Sequence, residues 1–197
     1  MELPDISALP QFRVVVVAAS AGGLSALISL VETLPASFPL PIAIVQHIDP
    51  HHRSLIAEIL GRHTALRVKH VFGSERLAAG CVYLARAAHH LEVGLNGTIG
   101  LTRAEPVHHV RPSADRLFES AAAMCPPGIA VVLTGTGRDG ARGVTAIKAS
   151  GGTTIAQDEQ SSAFFGMPHA AIETGAVDFV LPLDQIAAKL VELSARI

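Results

Sequence analysis

At 197 residues, with 49% apolar and 16% charged side chains, the chain is long enough to bury one sizeable core and too apolar for a disordered segment. Its net charge of −2 excludes the basic footprint of a nucleic-acid binder, and 4% aromatics exclude a base-stacking platform. No apolar run reaches the roughly 20 residues of a membrane helix, the N-terminal residues lack a signal-peptide pattern, and two cysteines without pair spacing, Cys81 and Cys125, suit a reducing cytoplasm.

Residues 1–11 read as a leader broken by Pro4 and Pro10, and residues 12–197 as one domain. Four valines open a buried strand over Val14–Ala19. Small residues then lead into an amphipathic helix over Gly22–Leu34, with Leu24, Leu27, Ile28 and Val31 on one face. After prolines 35, 39 and 41 comes a second buried strand, Ile42–Gln46, then a helix over Ser54–Gly61 and a strand over Leu66–Val71. Gly80–Ala85, His90–Gly94 and Thr98–Thr102 are short and alternate apolar with polar residues, and Asn96-Gly97 is a hairpin signal. The expectation is a small antiparallel excursion from a parallel sheet. Pro112-Ser113 opens a helix running to Met124, with Ser113 as its expected cap. Ile129–Leu133 is a further apolar strand, followed by TGTGRDGARG, a helix over Gly140–Ala149 and a strand over Thr153–Gln157. A helix over Pro168–Thr174, a strand over Val177–Leu181 and an amphipathic helix over Leu183–Ala195 close the chain. The alternation predicts a three-layer αβα sandwich with a doubly wound, mostly parallel sheet and a small antiparallel hairpin.

Three strand ends carry polar residues out of apolar runs: Ser20, Gln46-His47, and Thr134 through Asp139. The strand ends of a parallel sheet lie along one edge, where open α/β sheets bind ligands. A serine hydroxyl there needs an imidazole to take its proton and a carboxylate to orient that imidazole, so Ser20, His47 and Asp139 are a candidate triad. The backbone N–H groups of Ala21 and Thr136 are candidate oxyanion donors. Each residue also has a plainer role open to it. Ser20 suits a phosphate cradle or close helix packing, His47 a loop position, and Asp139 a helix cap. The first loop, A-x-S-A-G-G, departs from the dinucleotide fingerprint. The adjacent histidine pairs 51-52, 89-90 and 108-109 do not face one way, and no metal-ligand spacing appears.

The stretches VVVVAASAGG, AIVQHIDP, HHVRPSADRLFES, VVLTGTGRDGARG and TIAQDEQSSAFFGMPHAAI, with the closing helix, resemble the catalytic domain of the chemotaxis protein-glutamate methylesterases of the CheB type. The resemblance runs in order from Phe12 to the C-terminus. It implies a doubly wound α/β fold, no cofactor or metal, and hydrolysis of γ-glutamyl methyl esters on chemoreceptor helices, with receptor deamidation as a related activity and a receptor methyltransferase as functional partner. Carried over by motif, Ser20 is the nucleophile, His47 the general base and Asp139 the residue that orients it. Ala18 stands where the family usually has glycine, Ala21 where it often has threonine, and Thr136 where it has methionine. The family commonly carries an N-terminal receiver domain, whereas about a dozen residues precede the first strand here. The expectation is a free-standing esterase or a fragment, controlled by a separate protein if at all. Arg53, Arg111, Arg138 and Arg142 lie near the predicted strand ends and are candidates for docking an acidic receptor helix. A catalytically quiet adaptor of the same fold is the alternative reading.

Overall fold

The structure is a computed structural model that describes residues 13–47, 55–124 and 128–195. A seven-stranded sheet forms its centre. In chain order its strands are β1 (Val15–Ala19), β2 (Ile42–Gln46), β3 (Arg67–His70), β5 (Cys81–Leu84), β8 (Ile129–Val132), β9 (Thr153–Gln157) and β10 (Phe179–Leu181). Their spatial order is β10-β9-β8-β1-β2-β5-β3, and every pairing is parallel. A second, antiparallel sheet of order β4-β7-β6 is built from β4 (Glu75–Arg76), β6 (His90–Gly94) and β7 (Thr98–Thr102).

Side-chain alternation along β1 explains the layers. Val15, Val17 and Ala19 face one core with α1 (Gly23–Thr33), α2 (Ile56–Gly61) and α6 (Leu183–Ser194). Val14, Val16 and Ala18 face the other with α3 (Ala114–Ala122), α4 (Ala141–Ala149) and α5 (Gly166–Glu173). Both faces of β1 are therefore buried, as its unbroken valine run requires. The small sheet packs on α3: Leu91, Val93 and Ile99 join the core of Leu117 and Phe118. Arg116 pairs with Glu92, and the Val93 N–H donates to Ser120 Oγ.

One expectation fails. Gly80–Ala85 is not part of the antiparallel excursion. Its central residues form β5, a parallel strand inserted between β2 and β3 and buried along its length. The antiparallel partner that completes the small sheet is β4 instead. The Asn96-Gly97 hairpin forms as expected, with Gly97 at φ 73. None of the helices among the described residues is long and apolar enough to cross a membrane.

Candidate active site

The strand order reverses at β1, which lies between β2 and β8. This is the switch point where loops diverge and leave a crevice at the carboxyl ends of the strands. Ser20 follows β1 and His47 follows β2. The parallel register sets Ala19 against Gln46, so Ser20 and His47 are the next facing pair. The ladder extends past the strands: the His47 N–H donates to Ala19 O and the Ser20 N–H to Thr134 O, both at 3.0 Å. Alternation continued from Ala18 on β1 and Val45 on β2 points both side chains at the α3–α4 layer.

Asp139 waits in that layer. His47 Nε2–H donates to Asp139 Oδ2 at 2.8 Å, with the imidazole 16% and the carboxylate 4% exposed. This commits Nε2 and leaves Nδ1 without a hydrogen-bond partner among the described residues. Three further donors hold the carboxylate. The Ala114 N–H reaches Oδ2 at 2.6 Å, and Ser113 Oγ–H and the Asp115 N–H reach Oδ1 at 2.8 and 3.0 Å. Burial alone would raise the Asp139 carboxyl. The hydrogen bonds from His47, the two N–H groups and Ser113 together outweigh it and hold the group below the ordinary carboxylate range.

This arrangement corrects the expected cap. Ser113 occupies the N-cap position of α3, but its hydroxyl makes no bond to that helix; it donates to Asp139. Asp139 takes the first two N–H groups of α3 in its place. Asp115, on α3, takes the N–H groups of Gly140 and Gly143 at the start of α4, at 2.9 and 2.8 Å. Each helix start is thus capped by an acid from the other chain segment. Asp115 is fully buried, and burial, reinforced by the neighbouring Asp139 charge, raises its carboxyl against the N–H groups that lower it. Gly143 permits the close helix approach: a Cβ there would lie 2.4 Å from Phe118 Cβ.

The Ser20 loop is braced from three sides. Gln46 Nε2 donates to Ser20 O at 2.8 Å and His47 O at 3.1 Å. Thr134 Oγ1 lies 3.0 Å from Ala21 O and accepts the Phe164 N–H at 2.9 Å. Gly135 packs so closely that a Cβ would stand 2.8 Å from Ser20 Cβ and 2.3 Å from Met167 Sδ. A cleft of about 480 Å³ opens above, lined by Ser20, His47, His108, Thr136, Arg138 and Asp139 among others. Among the described residues Ser20 Oγ has no hydrogen-bond partner, and the Ala21 and Thr136 N–H groups are not spent on protein acceptors. A hydroxyl and a carboxylate-held imidazole on one cleft, with unspent backbone donors in the adjoining loops, can together perform acyl transfer.

The CheB methylesterase family matches the chain over residues 15–190. The chain belongs to that family. A crystal structure of the Thermotoga maritima CheB methylesterase catalytic domain superposes with a TM-score of 0.89 at 37% identity, covering 93% of this chain and 100% of that one. A protein-glutamate methylesterase/protein-glutamine glutaminase of Anaeromyxobacter dehalogenans is 46% identical over 92% of this chain and 53% of its own length. Protein-glutamate methylesterase FrzG of Myxococcus xanthus is 42% identical over 93% of this chain and 55% of its own. The chain therefore spans about half the length of the last two relatives.

Of the arginines, Arg138 lines the Ser20 cleft, and Arg111 lines an adjoining cavity with His47. Arg142 is held by Glu119 and lines a separate depression with Asp115 and Arg138. Arg53 lies outside the described residues, as do Cys125, the leader and the first histidine pair. Asp115 had no assigned part in the sequence reading. An acid in the first turn of a helix is common enough to read as a dipole complement, so Asp115 carried no distinct signal.

Proposed function

We propose that this chain is a serine hydrolase that removes the methyl group from glutamyl γ-methyl esters on chemoreceptor cytoplasmic helices, releasing methanol. It also deamidates receptor glutamines in this reading. It works in the cytoplasm on sites that a receptor methyltransferase has modified. The observation that carries the proposal is the Asp139-held imidazole of His47 set in register beside Ser20 at the sheet's switch point. The names of the relatives support the substrate class.

In this mechanism Ser20 Oγ attacks the ester carbonyl while His47 Nδ1 takes its proton. The Ala21 and Thr136 N–H groups face the developing oxyanion. Collapse breaks the bond to the methoxy oxygen, which leaves as methanol with the proton from His47. A water then gives a proton to His47 and attacks the acyl-serine, and Ser20 leaves with that proton, freeing the glutamate. Asp139 stays ionised throughout and keeps the ring in one tautomer.

The test is methanol release from a methylated receptor by the wild type and by Ser20→Ala. Release by the wild type that disappears in the variant supports the esterase. No release by either supports the quiet adaptor, and equal release removes Ser20 from the mechanism.

A further inference from the structure

Beside the Ser20 cleft lies a second cavity of about 290 Å³, with His47, Pro106, His109, Val110, Arg111 and Pro112 among its walls. It shares His47, His109 and Val110 with the cleft, so the two spaces adjoin across the imidazole. The shared wall is an unusual turn. Val107 and Val110 bond reciprocally, at 3.1 and 2.9 Å, and the two residues between them, His108 and His109, have φ of 51 and 65. Left-handed backbone at two consecutive non-glycine residues costs free energy and is kept where surrounding structure imposes it. Here it sets His109 between the two spaces.

Arg111 follows this turn. Its Nη1 donates to Arg103 O and Ala104 O at 3.3 and 3.1 Å, which holds the guanidinium in place without neutralising it. Its Nε is buried and has no partner among the described residues, and no carboxylate among them forms an ion pair with it. The neighbouring arginines differ: Arg116 is paired with Glu92 and Arg142 with Glu119. A pre-positioned, unneutralised guanidinium whose Nη2 makes no hydrogen bond among the described residues, on a cavity walled in part by proline and valine, suits a carboxylate, because a charge-assisted hydrogen bond from Nη2 is strengthened beside apolar walls.

We propose that this cavity is a carboxylate subsite in which Arg111 receives an acidic side chain that flanks the scissile ester on the substrate. The inference rests on the esterase reading for the identity of the substrate. It makes specificity depend on the charge next to the methyl ester as well as on the ester itself.

Two synthetic peptides carrying one glutamate γ-methyl ester test it, one flanked by glutamates and one by glutamines. The wild type is expected to turn over the Glu-flanked peptide with kcat/KM about tenfold higher, through KM, and this preference is expected to shrink with added salt. In Arg111→Met the ratio falls to about one, and Arg111→Lys keeps part of it. A wild-type ratio of one, or a ratio unchanged in Arg111→Met, overturns the subsite and leaves the esterase standing. If the wild type hydrolyses neither peptide, methanol release from the methylated receptor decides the esterase reading, and peptide binding to Ser20→Ala with and without Arg111→Met decides the subsite. Weaker binding of the Glu-flanked peptide alone supports it, and no selective loss overturns it.

Discussion

Asp115 and Asp139 cap each other's helices. The Asp115 N–H donates to Asp139 Oδ1 at 3.0 Å, while Asp115 Oδ1 takes the N–H of Gly140, the residue next to Asp139. The carboxylate that holds His47 is therefore fixed by the same contacts that start α3 and α4. Stability and site geometry share one set of hydrogen bonds here.

Removing the Asp115 carboxylate should be costly. In Asp115→Ala the Gly140 and Gly143 N–H groups lose their acceptor, and each buried orphan costs about 1–3 kcal/mol. The expected loss is about 2–6 kcal/mol of unfolding free energy by denaturant titration. Asp115→Asn keeps an acceptor oxygen in place and should lose less than half as much. Equal losses would mean that charge matters more than the acceptor.

Asp139→Asn should spare substrate binding and damage turnover. The two oxygens of Asp139 take four donors, and an amide has only one oxygen. Whichever way the amide sits, its NH₂ meets N–H or O–H groups, and the His47 tautomer is no longer imposed. A fall in kcat of at least about a hundredfold, with KM little changed, is expected from steady-state kinetics. A fall below tenfold would remove Asp139 from the proposed mechanism.

Gly135→Ala tests the packing beneath Ser20. The added methyl meets Ser20 Cβ as well as Met167 Sδ, and only the Met167 side chain can swing away. The expected result is about 1–3 kcal/mol of destabilisation together with loss of activity, because Ser20 must shift. Full activity with lowered stability would show that the Ser20 loop tolerates displacement.

Acid should weaken the fold through His90. Its Nε2–H donates to Glu105 O, its Nδ1 accepts the Ser113 N–H, and the ring is buried. Burial, with the nearby Arg116 and Arg111 charges, lowers its pKa from 6.5 against the Glu105 carbonyl and Glu92. In the unfolded chain the ring takes its proton as pH falls through 6.5; in the fold it does so only lower still. The unfolded state therefore binds more protons in that window, and stability present above 6.5 is lost as pH falls through it. His70, also lowered by burial, acts in the same direction. Denaturant midpoints should drop between about pH 7.5 and 5.5, and His90→Gln should flatten the slope. An unchanged slope in His90→Gln would rule out this source.

Charge reversal at the cleft rim tests docking. Arg138 lines the Ser20 cleft. Arg138→Glu should slow turnover of a methylated receptor about tenfold more than turnover of a small neutral ester. Equal effects on both would count against a docking role.

Elements whose signal is local were legible in the chain. The valine run of β1, the bounds of β2 and β9, and the Asn96-Gly97 hairpin follow from burial period and turn chemistry over a few residues. So did the gathering of Ser20, His47 and Asp139, because parallel strands place their carboxyl ends along one edge whatever their order. Tertiary structure alone decided the rest. Residues 81–84 became a parallel strand because β2 and β3 left a place between them, and pairing partners are not written in a strand's own pattern. Ser113 looked like an ordinary cap by position, yet the cap of α3 came from Asp139, 25 residues away from Ala114 along the chain. Helix ends accept any suitably placed oxygen, so which acid caps which helix depends on how α3 and α4 pack. By itself the sequence determined the strand-and-helix alternation and which side chains stand at the edge of the sheet. Long-range packing determined how those side chains are held.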